Sequence, residues 1–296
     1  MRYVSSNTRD KINSGHTTFA TCYRITLQNG LFTYLTDHDV DIKIGSETYL
    51  ASPGVSATKI TESDEFDPSN LELDLLIDGT VLTIPILRSG AYARATIQMF
   101  FVDFESPPSS LSDPDIIWVK TGTVGNIFTT NKNVGKLEFR GFEQALKQNI
   151  VETGSRYCRA TFGDSKCRVD KAGFTTTGTV VSHNKKFLAV SFGANNSYYA
   201  GGYVEVTGGP YSGAIYDIAD NVDNNLVLLD LPLVTLTGYN IKCIAGCDKA
   251  VNTCKNVFNN VINFQGEPYV PTRDSAIAGK KAKTGSVNQS SSGGGK

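Results

Sequence analysis

The sequence predicts a mainly β protein made of barrel or sandwich domains, with a small helical, cysteine-rich domain in its second half. Three observations carry this expectation. Charged residues make up only 19% of the 296-residue chain and glycines number 28, a balance that suits turn-rich sheets better than long solvated helices. Short β-branched and aromatic runs recur between clusters of Gly, Pro, Asp and Asn. Four of the six cysteines fall late and in pairs, Cys158 with Cys167 and Cys247 with Cys254.

The opening residues 1–20 read as an N-terminal arm. Met1 to Gly15 are polar with scattered charges and lack the basic, apolar, small-residue order of a secretory signal. Residues 21–152 read as a β domain. From Thr21 to Tyr49, two strand-like runs meet at Asn29-Gly30, a strong hairpin signal. Further runs follow at Leu71 to Ile77, Val81 to Ile86, Ala95 to Phe104, Ile116 to Val119 and Lys136 to Phe139, at a spacing that suits an antiparallel sandwich or barrel. Apolar residues at Phe142, Ala145, Leu146 and Ile150 then switch to helical steps, which predicts a short closing helix.

Gly178 to Tyr239 return to alternation, as in Phe187, Ala189 and Ser191, with turns at Gly201-Gly202 and Gly208-Gly209-Pro210. Residues 174–242 around them read as a second β domain inserted between segments 153–173 and 243–271, which carry the cysteine pairs. Within the later segment, Val251, Cys254, Phe258 and Val261 step by three and four residues, so Gly246 to Val261 is predicted to be a helix. Residues 272–296 are too poor in apolar groups to order themselves and read as a flexible tail.

Several function classes lack their parts. A net charge of -1 is no basic footprint, so direct nucleic-acid binding is not expected. The longest apolar runs fall short of the ~20 residues of a transmembrane segment. The only histidines are His16, His38 and His183, and no GxSxG elbow, HExxH pair or phosphate loop is present. The acidic run Asp37-His38-Asp39-Val40-Asp41 reads as a strand-to-turn junction making Asx hydrogen bonds, because the distal Glu and Gly of a calcium loop are missing. Tyr198, Tyr199, Tyr203, Tyr211 and Tyr216 read as core and cross-strand pairs before they read as a sugar platform.

The cysteines hold the main question. On one continuous helix Cys247 and Cys254 lie within ~20° of one face and ~10.5 Å apart at Cα, too far for a disulfide and wide for a single zinc. A bulkier cluster accepts that bite. Cys158 and Cys167, across a turn at Gly163-Asp164, supply two more thiolates, and a helix N-terminus beside Cys247 favours its thiolate. Spacing alone leaves buried thiols, zinc and an iron-sulfur cluster open. Cys243, four residues before Cys247, is a substitute ligand, and Cys22 reads as core.

The run CRATFGDSKCRVD (Cys158 to Asp170), followed after the β insert by AGCDKAVNTCKNVFNNVINFQGEPYVP (Ala245 to Pro271), resembles the baseplate hub family of tailed phages and gene transfer agents. TCYRITLQNG, YLTDHDVDI, SNLELDLL and RSGAYARATI extend the resemblance through the N-terminal half, to about Pro271. The cysteine spacing is similar to that of minor tail protein L of lambdoid siphophages. The resemblance implies a structural tail-tip protein, a virion component assembled in the host cytoplasm as a homotrimer. Its implied partners are the distal tail protein ring and the central hub or tail fibre protein. It also implies a 4Fe-4S cluster on Cys158, Cys167, Cys247 and Cys254, with zinc as the alternative, in a hub without catalytic residues. Competing expectations are a tail-tip enzyme, either a redox iron-sulfur protein or a cell-wall hydrolase, and a zinc-stapled binding module.

Overall fold

The structure is a computed structural model describing residues 5–15, 17–51, 54–57, 70–77, 82–129, 134–141, 151–193 and 195–270. The chain forms two compact units, one of Met1–Val151 with Asp170–Asp248, the other of Glu152–Val169 with Lys249–Lys296. The first unit is mainly β and contains a seven-stranded sheet and a closed six-stranded barrel.

Helix α1 (Ser6–Asn13) opens the described chain, capped by Ser5, whose hydroxyl accepts from the Thr8 N–H. Strands β1 (Phe19–Thr26) and β2 (Phe32–Thr36) form the hairpin expected at Asn29-Gly30. Its turn is closed by Leu27 N–H to Leu31 O at 2.8 Å and Gly30 N–H to Leu27 O at 3.0 Å. Gly30 sits at φ 83°, a conformation that glycine adopts without a Cβ penalty.

Strands β3 (Ile42–Ile44) and β4 (Glu47–Tyr49) make a separate two-stranded ribbon. The large sheet adds β5 (Val55–Ala57), β6 (Asn70–Leu76), β7 (Thr96–Asp103), β8 (Ile117–Thr129) and β9 (Val134–Gly141) in the order β2-β1-β7-β8-β9-β6-β5, antiparallel throughout. Burial alternates strictly along β9, as a sheet with one face on the core requires.

One expected strand is a helix. Residues Ile84–Arg88 form α2, with Pro85 in its first turn and the Thr83 hydroxyl accepting from Ile86 N–H at 3.3 Å. A capping Thr followed by an early Pro is a helix-start signal, and here it overrides the apolar run. Of the helix expected between Phe142 and Val151, residues 142–150 lie outside the described residues, as do the tail over 272–296 and His16.

The barrel comprises β10 (Thr175–Asn184), β11 (Phe187–Val190), β12 (Tyr203–Val206), β13 (Ile215–Val222), β14 (Asn225–Leu228) and β15 (Asn240–Ile244), in the order β10-β11-β14-β13-β12-β15. Pairing of β15 with both β10 and β12 closes it, which removes the open edges that invite aggregation. Val180, Leu188, Val204, Val206, Leu226, Ile241 and Cys243 fill its interior. At Gly202 a Cβ would meet Ile244 O at 2.2 Å, so the close approach of the chains there depends on glycine. One apolar core runs through sheet and barrel, and Tyr216 donates its hydroxyl to Ser89 O at 2.5 Å.

Tyr199 is a core residue and Tyr198, Tyr211 and Tyr216 pack against the core, while Tyr203 pairs across strands with Asp217 and Ile244. Tyr199 is buried and its hydroxyl donates to Thr176 Oγ1 at 2.8 Å; Tyr198 packs edge-on against it, and Tyr211 packs against Tyr239.

Candidate metal centre

Among its described residues the second unit buries little apolar surface. Its buried apolar residues are Ala160, Cys167, Cys254 and Phe258, and none belongs to either large apolar cluster among the described residues. Phe162 packs on Phe258 with ring centroids 4.7 Å apart. Two of the four buried apolar side chains among its described residues are therefore cysteines, and polar contacts set most of the local structure there.

The turn before Cys167 is organised by Asp164. Its carboxylate accepts from Thr161 N–H at 2.8 Å, Lys166 N–H at 2.9 Å and Cys167 N–H at 2.6 Å. Those donors, the Cys167 amide foremost, hold the Asp164 carboxyl below its ordinary range. Gly163, at φ 70°, makes the turn possible. Cys158 is fixed from both sides: its N–H donates to Lys249 O at 2.8 Å, and its sulfur accepts from Gln265 N–H at 3.4 Å.

Asn260 links the remaining pair. Its side-chain amide donates to Cys167 O at 2.6 Å and reaches Cys167 Sγ at 3.7 Å, while its backbone N–H donates to Cys254 O at 2.9 Å. Around this frame Arg159 makes a fork to Glu267 at 2.7 and 2.8 Å, and Glu267 also accepts from Ser155 N–H at 2.9 Å. The Arg159 bond, then the Ser155 amide, draw the Glu267 carboxyl down to about 2.

The expected helix over Gly246 to Val261 is corrected to α3, Val251–Asn256. Lys249 lies at φ 63° and Ala250 is extended, so the chain turns before the helix starts and Cys247 is not on it. The helical separation of Cys247 and Cys254 and the helix-dipole argument for the Cys247 thiolate therefore fall.

None of the six cysteines forms a disulfide. Cys158, Cys167 and Cys254 share the second unit, while Cys247 closes the first, two residues before Lys249. N–H groups aimed at the Cys158 and Cys167 sulfurs suit thiolates that ligate a metal, since such bonds stabilise sulfur-borne charge. Among the described residues, no group of three or more His, Cys, Asp or Glu side chains is gathered as metal ligands are. Cys22 and Cys243 are fully buried in the first unit, and burial pushes each thiol up to about 12. Cys243 faces the barrel core, an unsuitable place for a thiolate ligand.

Two acids of the acidic run bond across to other segments in place of the Asx bonds expected: Asp37 accepts from Thr21 N–H at 2.7 Å, and Asp41 accepts from Ala51 N–H at 2.8 Å. His38 packs on Phe104, and His183 accepts from Leu236 N–H at 3.2 Å. Asp164 was open to discovery by sequence, since an Asp two and three residues before the Lys166 and Cys167 amides is an Asx-turn signal. Asn260, Gln265 and the Arg159–Glu267 fork carry no such local signal.

The family of the baseplate hub protein, N-terminal attachment domain, matches residues 5–170. The chain belongs to the baseplate hub protein family. As a baseplate component, the hub protein has its place in the virion. A second family, phage conserved hypothetical protein BR0599, matches residues 197–274. The first match contains Cys158 and Cys167 and the second contains Cys247 and Cys254.

In solved structures the hub protein's fold is similar to a chain of the virion of a native gene transfer agent (GTA) particle. The TM-score is 0.75 at 22% identity, over 99% of each chain. No curated protein matches the chain. No helix among the described residues is long and apolar enough to cross a membrane.

Proposed function

We propose that the hub protein is a structural, non-enzymatic tail-tip protein of a tailed phage or gene transfer agent, joining the distal tail protein ring to the central hub or tail fibre. The match of the attachment domain over residues 5–170 carries this reading, and the similarity in fold to a chain of a gene transfer agent virion supports it. The chemistry of the described residues agrees: His38 and His183 make backbone and ring contacts, and Asp37 and Asp41 accept from backbone amides. A homotrimer fits this role, since closed rings are built by repeating one interface.

The cysteines belong to the same proposal. Cys158, Cys167, Cys247 and Cys254 hold a 4Fe-4S cluster whose work is structural. The support is the second unit itself, which buries only four apolar residues among those described; units with so little core are commonly held by metals or disulfides. A cluster supplies a link between chain segments remote in sequence. Asp164, Asn260 and Gln265 orient the ligating segments through their bonds to Cys167 and Cys158.

Gold-labelled antibody on purified particles tests the placement. Label at the tail tip is expected. Label on the head or along the tail tube, or particles that lack the protein, would overturn it.

A further inference from the structure

Helix α1 is attached to the first unit without an apolar anchor. In the sequence SNTRDKIN its one large apolar residue, Ile12, is 45% exposed, and the buried residues at this end are Ser5 and Thr8. An eight-residue helix is unstable in isolation, so its contacts must keep it formed. Those contacts converge on two carboxylates. Asp115, just ahead of β8, accepts from the Ser5 hydroxyl, from Asn7 Nδ2 at 3.0 Å and from Thr8 Oγ1 at 3.1 Å. Asp103, at the end of β7, accepts from Lys11 Nζ and from Thr18 Oγ1 at 2.7 Å.

We propose that α1 is a polar latch, docked through Asp103 and Asp115 and released by acid or salt while the β core stays closed. The charged groups acting on one another are Lys11 from α1, Asp103 and Glu105 from the β7 end, and Asp115. Lys11 is the only base among them. Burial pushes Asp103 up, but its bonds from Lys11, Thr18 and the Glu105 amide outweigh this and hold it low; Asp115 is held low by Ser5 and Asn7. A carboxyl whose folded value is depressed stabilises docking above its unfolded value of about 4. That contribution is lost as pH falls through the folded value. The attachment-domain match begins at Ser5, so the latch belongs to that domain and gives its surface two states.

Hydrogen exchange followed by mass spectrometry on the full chain tests this. The Asp103→Asn/Asp115→Asn variant mimics the protonated acids, and Lys11→Gln removes the ion pair from a partly exposed side chain that the β core does not need. In the double variant, α1 amides are expected to exchange at least about tenfold faster, the scale set by losing a hydrogen bond to a charged group. In Lys11→Gln, and on raising ionic strength from about 0.01 M to about 1 M, the change is in the same direction. Amides of β1, β7 and β8 keep their protection in every case. Unchanged α1 exchange in both variants would overturn the latch. So would a parallel loss of protection in β1 and β7, which would make α1 part of the cooperative core.

Discussion

Asn260 donates its side-chain amide to the backbone carbonyl of Cys167 at 2.6 Å, across 93 residues of sequence. Its own N–H donates to Cys254 O, so this buried residue holds two of the proposed ligand segments together. Asn260→Ala removes both side-chain bonds to Cys167 and leaves a carbonyl short of its partner. The expected cost is about 1–3 kcal/mol in the second unit. Faster amide exchange over residues 152–169, with the barrel unchanged, would show it.

Glu267 gives this unit an acid limit. Its folded value of about 2 lies below the ordinary 4.5, so its contribution is complete above about pH 4.5 and is lost as pH falls through the folded value. An NMR titration of the Glu267 carboxyl is expected to show a midpoint near 2 in the wild type. In Arg159→Gln it moves upward, because the fork that depresses it is gone. An unchanged midpoint in that variant would disprove the assignment.

Closure of the barrel depends on Gly202. A methyl group there would lie 2.2 Å from Ile244 O and 2.9 Å from the Ala245 carbonyl carbon. Gly202→Ala forces backbone to shift where β12 meets β15 and should cost about 1–3 kcal/mol, the scale of overpacking in a tight site. Chemical unfolding of the full chain measures it, and a cost near zero would show that the strands can part there.

The polar tie between sheet and barrel should be modest in strength. Tyr216→Phe removes the hydrogen bond to Ser89 O while keeping the packed ring, at an expected cost of about 1 kcal/mol. A double-mutant cycle is unsuitable because the acceptor is backbone, so urea unfolding of the single variant is the measurement.

The β framework was legible because its signals are local. Asn29-Gly30 marked the first hairpin, apolar runs between turn residues marked β7 and β9, and alternation marked the second β domain. Signals that compete were misread: the apolar run Val81 to Ile86 resembled a strand, although Thr83 and Pro85 start a helix there. Apolar steps from Val251 to Val261 implied a longer helix than α3, since periodicity reports neither the positive φ at Lys249 nor that at Asn259. Helix α1 carries no apolar period; Asp103 and Asp115, some 90 to 110 positions away in sequence, hold it. The same holds around the cysteines. Their spacing was visible, but the bonds from Gln265 to Cys158 and from Asn260 to Cys167 join segments that only the fold brings together.

Iron and acid-labile sulfide per chain, measured with visible absorbance after anaerobic purification, test the central claim most directly. The account predicts close to four of each. Substitution of Cys158, Cys167, Cys247 or Cys254 by Ser should abolish them, while Cys22→Ser and Cys243→Ser, whose thiols lie in apolar cores, should retain them. A colourless protein with one zinc, or with no metal and an undiminished melting temperature, would contradict it.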